Sequence, residues 1–104
     1  MKKNNSKLKT IDLFAGCGGL SLGFHNSNLY DIVAHVEWEK APLETIRHWL
    51  KQQGEKDIAK KIVHFDIQRL NELFVGWQND TRFPDGEGLD KIVSPIGKLD
   101  IIIG

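Results

Sequence analysis

The sequence is short of the residues that staple, span or steer. It holds one cysteine, Cys17, in 104 residues. An internal disulfide framework and a multi-cysteine zinc site are therefore excluded, and a reducing cytoplasm is the expected compartment. Neither sign of charge is in excess, because fourteen Lys plus Arg balance fourteen Asp plus Glu for a formal net charge of zero. A self-sufficient nucleic-acid binder ordinarily carries a basic stripe, and nothing of that kind shows here. No apolar run approaches the length of a membrane span or a signal-peptide core, so no membrane association is expected. The opening MKKNNSKLK is polar and Lys-rich, and residues 1–8 are expected to form a flexible tail. His25, His35, His48 and His64 show no ligand spacing with one another or with Cys17, so no metal site is expected. The length suits one small domain, which hides only about 60 to 70% of its unfolded surface and has little stability to spare.

What is present is an alternation of short apolar runs, turn residues and helical patterns, the mark of a parallel sheet covered by helices. Strands are expected at Lys9–Phe14, Tyr30–Val36, Ile62–Phe65 and Leu99–Ile103. The run Ile32-Val33-Ala34 is continuous enough to imply burial on both faces. A short helix is expected from about Leu20 to Ser27, and a second, with the clearest pattern, from Pro42 to Gln53. In the latter Leu43, Ile46, Trp49 and Leu50 share one face, Pro42 suits the first turn and Gly54 the stop. A weaker helix is expected around Gln68–Val75. The stretch Gly76–Lys98 shows no convincing period and reads as a long loop, unusual in a compact domain unless it covers something.

Three features fall at the carboxyl ends of successive strands, where a doubly wound sheet presents its ligand site. The first is Asp12-Leu13-Phe14-Ala15-Gly16-Cys17-Gly18-Gly19, a strand feeding a glycine turn through which backbone and ligand can approach closely. The second is Glu37, about twenty residues beyond Gly18, where an acidic side chain can accept both hydroxyls of a ribose. The third is Asp66, able to accept from an exocyclic amine while Phe14 and Trp38 offer faces to a purine. A dinucleotide fingerprint fails because Ser21 stands where its third glycine belongs, and no Gly-Lys-Ser or Gly-Lys-Thr follows the turn. What remains is an adenosine-bearing ligand without a pyrophosphate, for which S-adenosylmethionine is the obvious candidate.

The stretch Ile11-Asp12-Leu13-Phe14-Ala15-Gly16-Cys17-Gly18-Gly19-Leu20 resembles the first motif of the DNA (cytosine-5) methyltransferases. Glu37-Trp38-Glu39-Lys40 resembles their second motif, and Phe65-Asp66-Ile67 their third. The resemblance implies a partial, Rossmann-like S-adenosylmethionine-dependent methyltransferase sheet of about four parallel strands, with residues 9–104 forming the amino-terminal part of the catalytic domain. It implies a cofactor pocket lined by Phe14, Ala15, Gly16, Cys17, Gly18, Gly19, Leu20, Glu37, Trp38, Asp66 and Ile67. Leu99-Asp100-Ile101-Ile102-Ile103-Gly104 resembles the strand that leads into the family's Pro-Cys loop. In that family the loop cysteine adds to C6 of a flipped cytosine so that C5 can accept the methyl group, and a downstream glutamate assists at N3. Neither residue is among these 104, so the resemblance implies no catalytic residue here and no activity of this chain alone. DNA would be met through the remainder of the enzyme. The expected final strand, Leu99–Ile103, would receive that remainder or a second polypeptide at its apolar edge; an inactive remnant is a further alternative.

Blander readings compete at single positions. Cys17 aligns with a variable position of the glycine turn and reads as a space-filler rather than a nucleophile. Asp12, inside an apolar strand, reads as a structural acceptor for the amides of that turn. Trp77 and Phe83 read as loop residues packing onto their own domain rather than as a cofactor lid.

Overall fold

Four apolar segments bounded by turn residues become the strands of one sheet: β1 (Leu8–Asp12), β2 (Tyr30–Glu37), β3 (Ile62–His64) and β4 (Ile101–Ile103). This computed structural model describes residues 7–13 and 27–104. The glycine turn with Phe14, Cys17 and Leu20, residues 20–26 of the helix expected after it, and residues 1–6 of the tail lie outside the described residues. β1 starts at Leu8, one residue before the expected strand, because the Leu8 amide donates to the Leu29 carbonyl (2.9 Å) and draws that residue into register with Tyr30.

The strand order is β3-β2-β1-β4 and every pairing is parallel. The fold is thus α/β and Rossmann-like, as expected. β2 lies inside the sheet and is buried from Ile32 through Glu37, which is why its sequence is a continuous apolar run rather than an alternation. The chain steps outward from β1 to β3 and then returns across β1 to β4. With right-handed crossovers, that reversal puts the later helices on the opposite face from the earlier ones.

The packing shows the same division. Helix α1 (Lys40–Gln52) buries Leu43, Ile46 and Leu50, and Ile46 and Leu50 form a small core with Trp49, Ile58 and Ile62. Gly54 ends the helix at φ +74°, its amide donating to the Lys51 carbonyl (3.1 Å); a left-handed residue at this point is cheapest as glycine. A short helix α2 (Ile58–Lys61), not signalled by periodicity, follows a left-handed Asp57. On the other face, α3 (Leu70–Val75) and α4 (Leu89–Val93) cover a larger core of Ile11, Val33, Ala34, Val36, Phe65, Leu73, Trp77, Phe83 and Leu89. Ile62 joins the first core and Val63 the second. Neighbouring strand residues point to opposite sides, so the two cores lie on opposite faces of the sheet.

The segment 76–98 departs from expectation. Instead of a structureless loop, it contains α4 and a bridge in which Trp77 and Gly86 exchange backbone hydrogen bonds of 2.9 and 3.1 Å. Trp77 Nε1–H donates to the Pro84 carbonyl (2.7 Å), closing the loop on itself. Gly86 permits this, because a Cβ there would lie 2.2 Å from the Trp77 ring. Gly88, at φ +93°, starts α4 where a Cβ would meet the Phe74 carbonyl at 2.4 Å. Helical periodicity misses the segment because tertiary closure, rather than an amphipathic face, organises it.

Candidate functional site

The order reversal beside β1 directs attention to the carboxyl ends of the strands, since a crevice opens where successive connections leave for opposite faces. β2 ends there with Glu37, 8% exposed. Its carbonyl accepts from the Phe65 amide (3.2 Å), and its Oε2 accepts from the Glu39 amide (2.9 Å). The carboxylate is therefore oriented by the turn it introduces, which limits the rotamers it can sample. Trp38 follows at 53% exposed, whereas Phe65, Trp77 and Phe83 are buried.

β3 brings the third feature alongside. His64 is in register with Glu37, and its Nε2 lies 2.8 Å from the Trp38 carbonyl. A carbonyl only accepts, so Nε2 carries the proton in this contact. Two residues on, Asp66 accepts from the Gln68 amide at Oδ1 (2.9 Å), and its carbonyl accepts from the Arg69 amide (3.1 Å), forming the turn into α3. Glu37, Trp38 and Asp66 thus lie at one edge of the sheet, at the carboxyl ends of β2 and β3. Ile67 is half-buried and packs against the larger core. Phe14, Ala15, Gly16, Cys17, Gly18, Gly19 and Leu20 lie outside the described residues. Asp12 is fully buried, its Oδ2 4.0 Å from Nδ1 of the buried His35, which fits a structural role.

Behind this edge stands an aromatic stack. Phe65 lies against Trp77 with ring centroids 3.9 Å apart and against Phe83 at 5.2 Å. Trp77 and Phe83 therefore pack onto their own domain, as expected. Arg69 ties α3 to the 77–86 loop, pairing with Glu72 (2.7 Å) and Asp80 (2.6 Å) while its guanidinium lies 4.6 Å from the Phe65 centroid. The Asp80 carboxyl is held below its ordinary range first by the Arg82 amide and then by Arg69, and Glu72 is lowered chiefly by its hydrogen bonds from Arg69.

The loop also delivers a residue that sequence reasoning missed. The Arg82 guanidinium lies over the Trp38 ring, 5.4 Å from its centroid, and 5.2 Å from that of Phe83. No linear signal could have found it, because Arg82 sits in the aperiodic segment and meets Trp38 only through loop closure.

A groove of about 840 Å³ runs from Lys9 and Asp31 at the strand starts past Ile62 and Val63 to Pro84 and Gly86. Glu37, Trp38 and Asp66 do not line it. Among the described residues no group of three or more His, Cys, Asp or Glu is arranged to hold a metal ion, and no helix is long and apolar enough to cross a membrane.

Comparison with known proteins agrees with the motifs. Residues 8–76 match the family model of the C-5 cytosine-specific DNA methylases. The chain is 32% identical over 85 residues to the type II methyltransferase M.NgoFVII of Neisseria gonorrhoeae, covering 82% of this chain and 19% of that protein. It is 46% identical over 72 residues to the type II methyltransferase M.SsoII of Shigella sonnei, covering 69% of this chain and 18% of that protein. A shorter match, 50% identical over 36 residues, joins it to DNA (cytosine-5)-methyltransferase 1 of Gallus gallus, covering 34% of this chain and 2% of that protein. The chain thus spans under a fifth of the length of these relatives.

Proposed function

Because the chain belongs to the C-5 cytosine-specific DNA methylase family, we propose that it is the cofactor-binding amino-terminal portion of a DNA (cytosine-5) methyltransferase. The complete enzyme transfers a methyl group from S-adenosylmethionine to C5 of cytosine in DNA. The observation that carries the reading is the gathering of Glu37, Trp38 and Asp66 at the carboxyl edge beside the order reversal.

The donor set fits an adenosine. A carboxylate offers several lone-pair sites, so Glu37 accepts from ribose hydroxyls while its Oε2 holds the Glu39 amide. The exposed Trp38 ring offers a flat face to the adenine, and Asp66 an acceptor to its exocyclic amine. By the family motif the glycine turn and Phe14 belong to the same pocket, and Ile67 supplies apolar backing. S-adenosylmethionine supplies the electrophilic methyl group. This chain's residues orient and desolvate the donor; the thiolate that attacks cytosine and the surface that reads DNA come from the rest of the enzyme. β4 lies at the end of the strand order with Ile102 49% exposed, an apolar edge suited to receive that remainder or a second polypeptide. The assembled enzyme acts on DNA in the cytoplasm.

Titration with S-adenosylmethionine tests the assignment. A ribose held by charge-assisted hydrogen bonds loses about 1.5 to 3 kcal/mol when the carboxylate is removed, so Glu37→Ala should bind roughly 10- to 100-fold more weakly. A folded Glu37→Ala variant with unchanged affinity would sink the ribose assignment.

A further inference from the structure

Trp38 has an exposed ring at the end of a strand, a placement that ordinarily leaves an aromatic free to sample several rotamers. Here it is gripped twice from other parts of the chain: His64 holds its carbonyl (2.8 Å), and Arg82 lies over its ring (5.4 Å). Arg82 is itself placed with care. Asp80 Oδ1 accepts from the Arg82 and Phe83 amides (2.9 and 3.2 Å), Asp80 Oδ2 pairs with Arg69 (2.6 Å), and buried Phe83 stands edge-on to His64 with centroids 4.9 Å apart. Among the described residues no carboxylate pairs with the Arg82 guanidinium, which lies against the Trp38 and Phe83 rings.

We propose that Arg82 is a positioning residue for the adenine platform: it clamps one face of the Trp38 ring, so that the opposite face is presented to the adenine of S-adenosylmethionine. The inference rests on the cofactor-site reading above and assigns the 77–86 loop a part in it. A guanidinium within about 6 Å of an indole centroid is attracted by the ring quadrupole. The apparent dissociation constant is the intrinsic one divided by the fraction of protein in the competent conformation. Releasing an exposed indole among two or three comparably populated staggered rotamers therefore weakens binding by about two- to threefold.

The test is a calorimetric titration of the full chain with S-adenosylmethionine, comparing wild type, Arg82→Ala, Arg82→Lys, Trp38→Ala and the Arg82→Ala/Trp38→Ala double variant. Arg82 is exposed, so its variants should melt with wild type, and matching thermal transitions confirm that fold is not being read. Arg82→Ala should bind about two- to threefold more weakly, with Arg82→Lys in between. In the Trp38→Ala background the same substitution should change nothing, because the clamp has no ring to hold; a purely structural role would not show that coupling. Wild-type affinity in Arg82→Ala, or an equal loss with and without Trp38, overturns the inference and leaves the cofactor reading standing. Tighter binding by Arg82→Ala also overturns it, by showing that the guanidinium covers the face the adenine needs. A wild-type chain that binds no S-adenosylmethionine overturns the cofactor reading and this inference with it.

Discussion

The two faces of the sheet are packed by different means. On one, α1 lays Ile46 and Leu50 against Trp49, Ile58 and Ile62, an aliphatic contact whose spacing is written along a single helix. On the other, Phe65, Trp77 and Phe83 stack together beneath α3 and α4, and two of the three come from a loop without helical or strand period. The larger core is therefore the one built from the less regular sequence. It is also the one that reaches the candidate site, because the same loop that inserts Trp77 and Phe83 sets Arg82 over Trp38. Core packing and the contact with Trp38 share one segment, whereas α1 serves the fold from the other side.

Breaking the aromatic stack should have the largest effect. Phe65 is fully buried between Trp77, Phe83 and Arg69, and Phe65→Ala should cost about 3 to 5 kcal/mol, enough to unfold much of a domain of marginal stability. Chemical denaturation measures it; a loss below about 1 kcal/mol would mean that the stack contributes little beyond what the loop backbone supplies. A matched pair of leucines sharpens the comparison. Leu89→Ala in the larger core should lie toward the upper end of the about 2 to 5 kcal/mol range for such truncations, and Leu50→Ala in the smaller core toward the lower end. The reverse order would show that α1 is the face that holds the domain together.

The smallest effect concerns acid. The Asp80 carboxyl is depressed by the Arg82 amide and by Arg69, so it contributes stability above its unfolded pKa, and that contribution is lost as pH falls through its folded value. The near-UV signal of Trp77 should therefore weaken below about pH 4. Asp80→Asn, which carries no titrating charge, should have a flatter profile there. Superimposable profiles for the two proteins would remove Asp80 from the account of how the loop is held.

Local chemistry made much of this legible beforehand. The continuous run in β2 announced a strand buried on both faces, and Leu43, Ile46 and Leu50 marked the inner face of α1 with Gly54 as its stop. The placement of Glu37, Trp38 and Asp66 at the strand ends was legible because each directly follows or closes an apolar run, and in a parallel sheet that is the edge where ligands are met. By contrast, α2 is too short to show a period, and the closure of the 76–98 segment depends on Trp77 finding Gly86 and Pro84, with glycines at 86 and 88 where no side chain fits.

By itself, then, the sequence determined the parallel α/β architecture, the family and the strand-end identity of Glu37, Trp38 and Asp66, because periodicity and turn chemistry act between near neighbours. Only the tertiary structure decided that an aperiodic segment folds back as the larger core's aromatic half and lays Arg82 across Trp38. Those contacts join residues far apart in the chain, and their energy comes from shape and burial that no local pattern encodes.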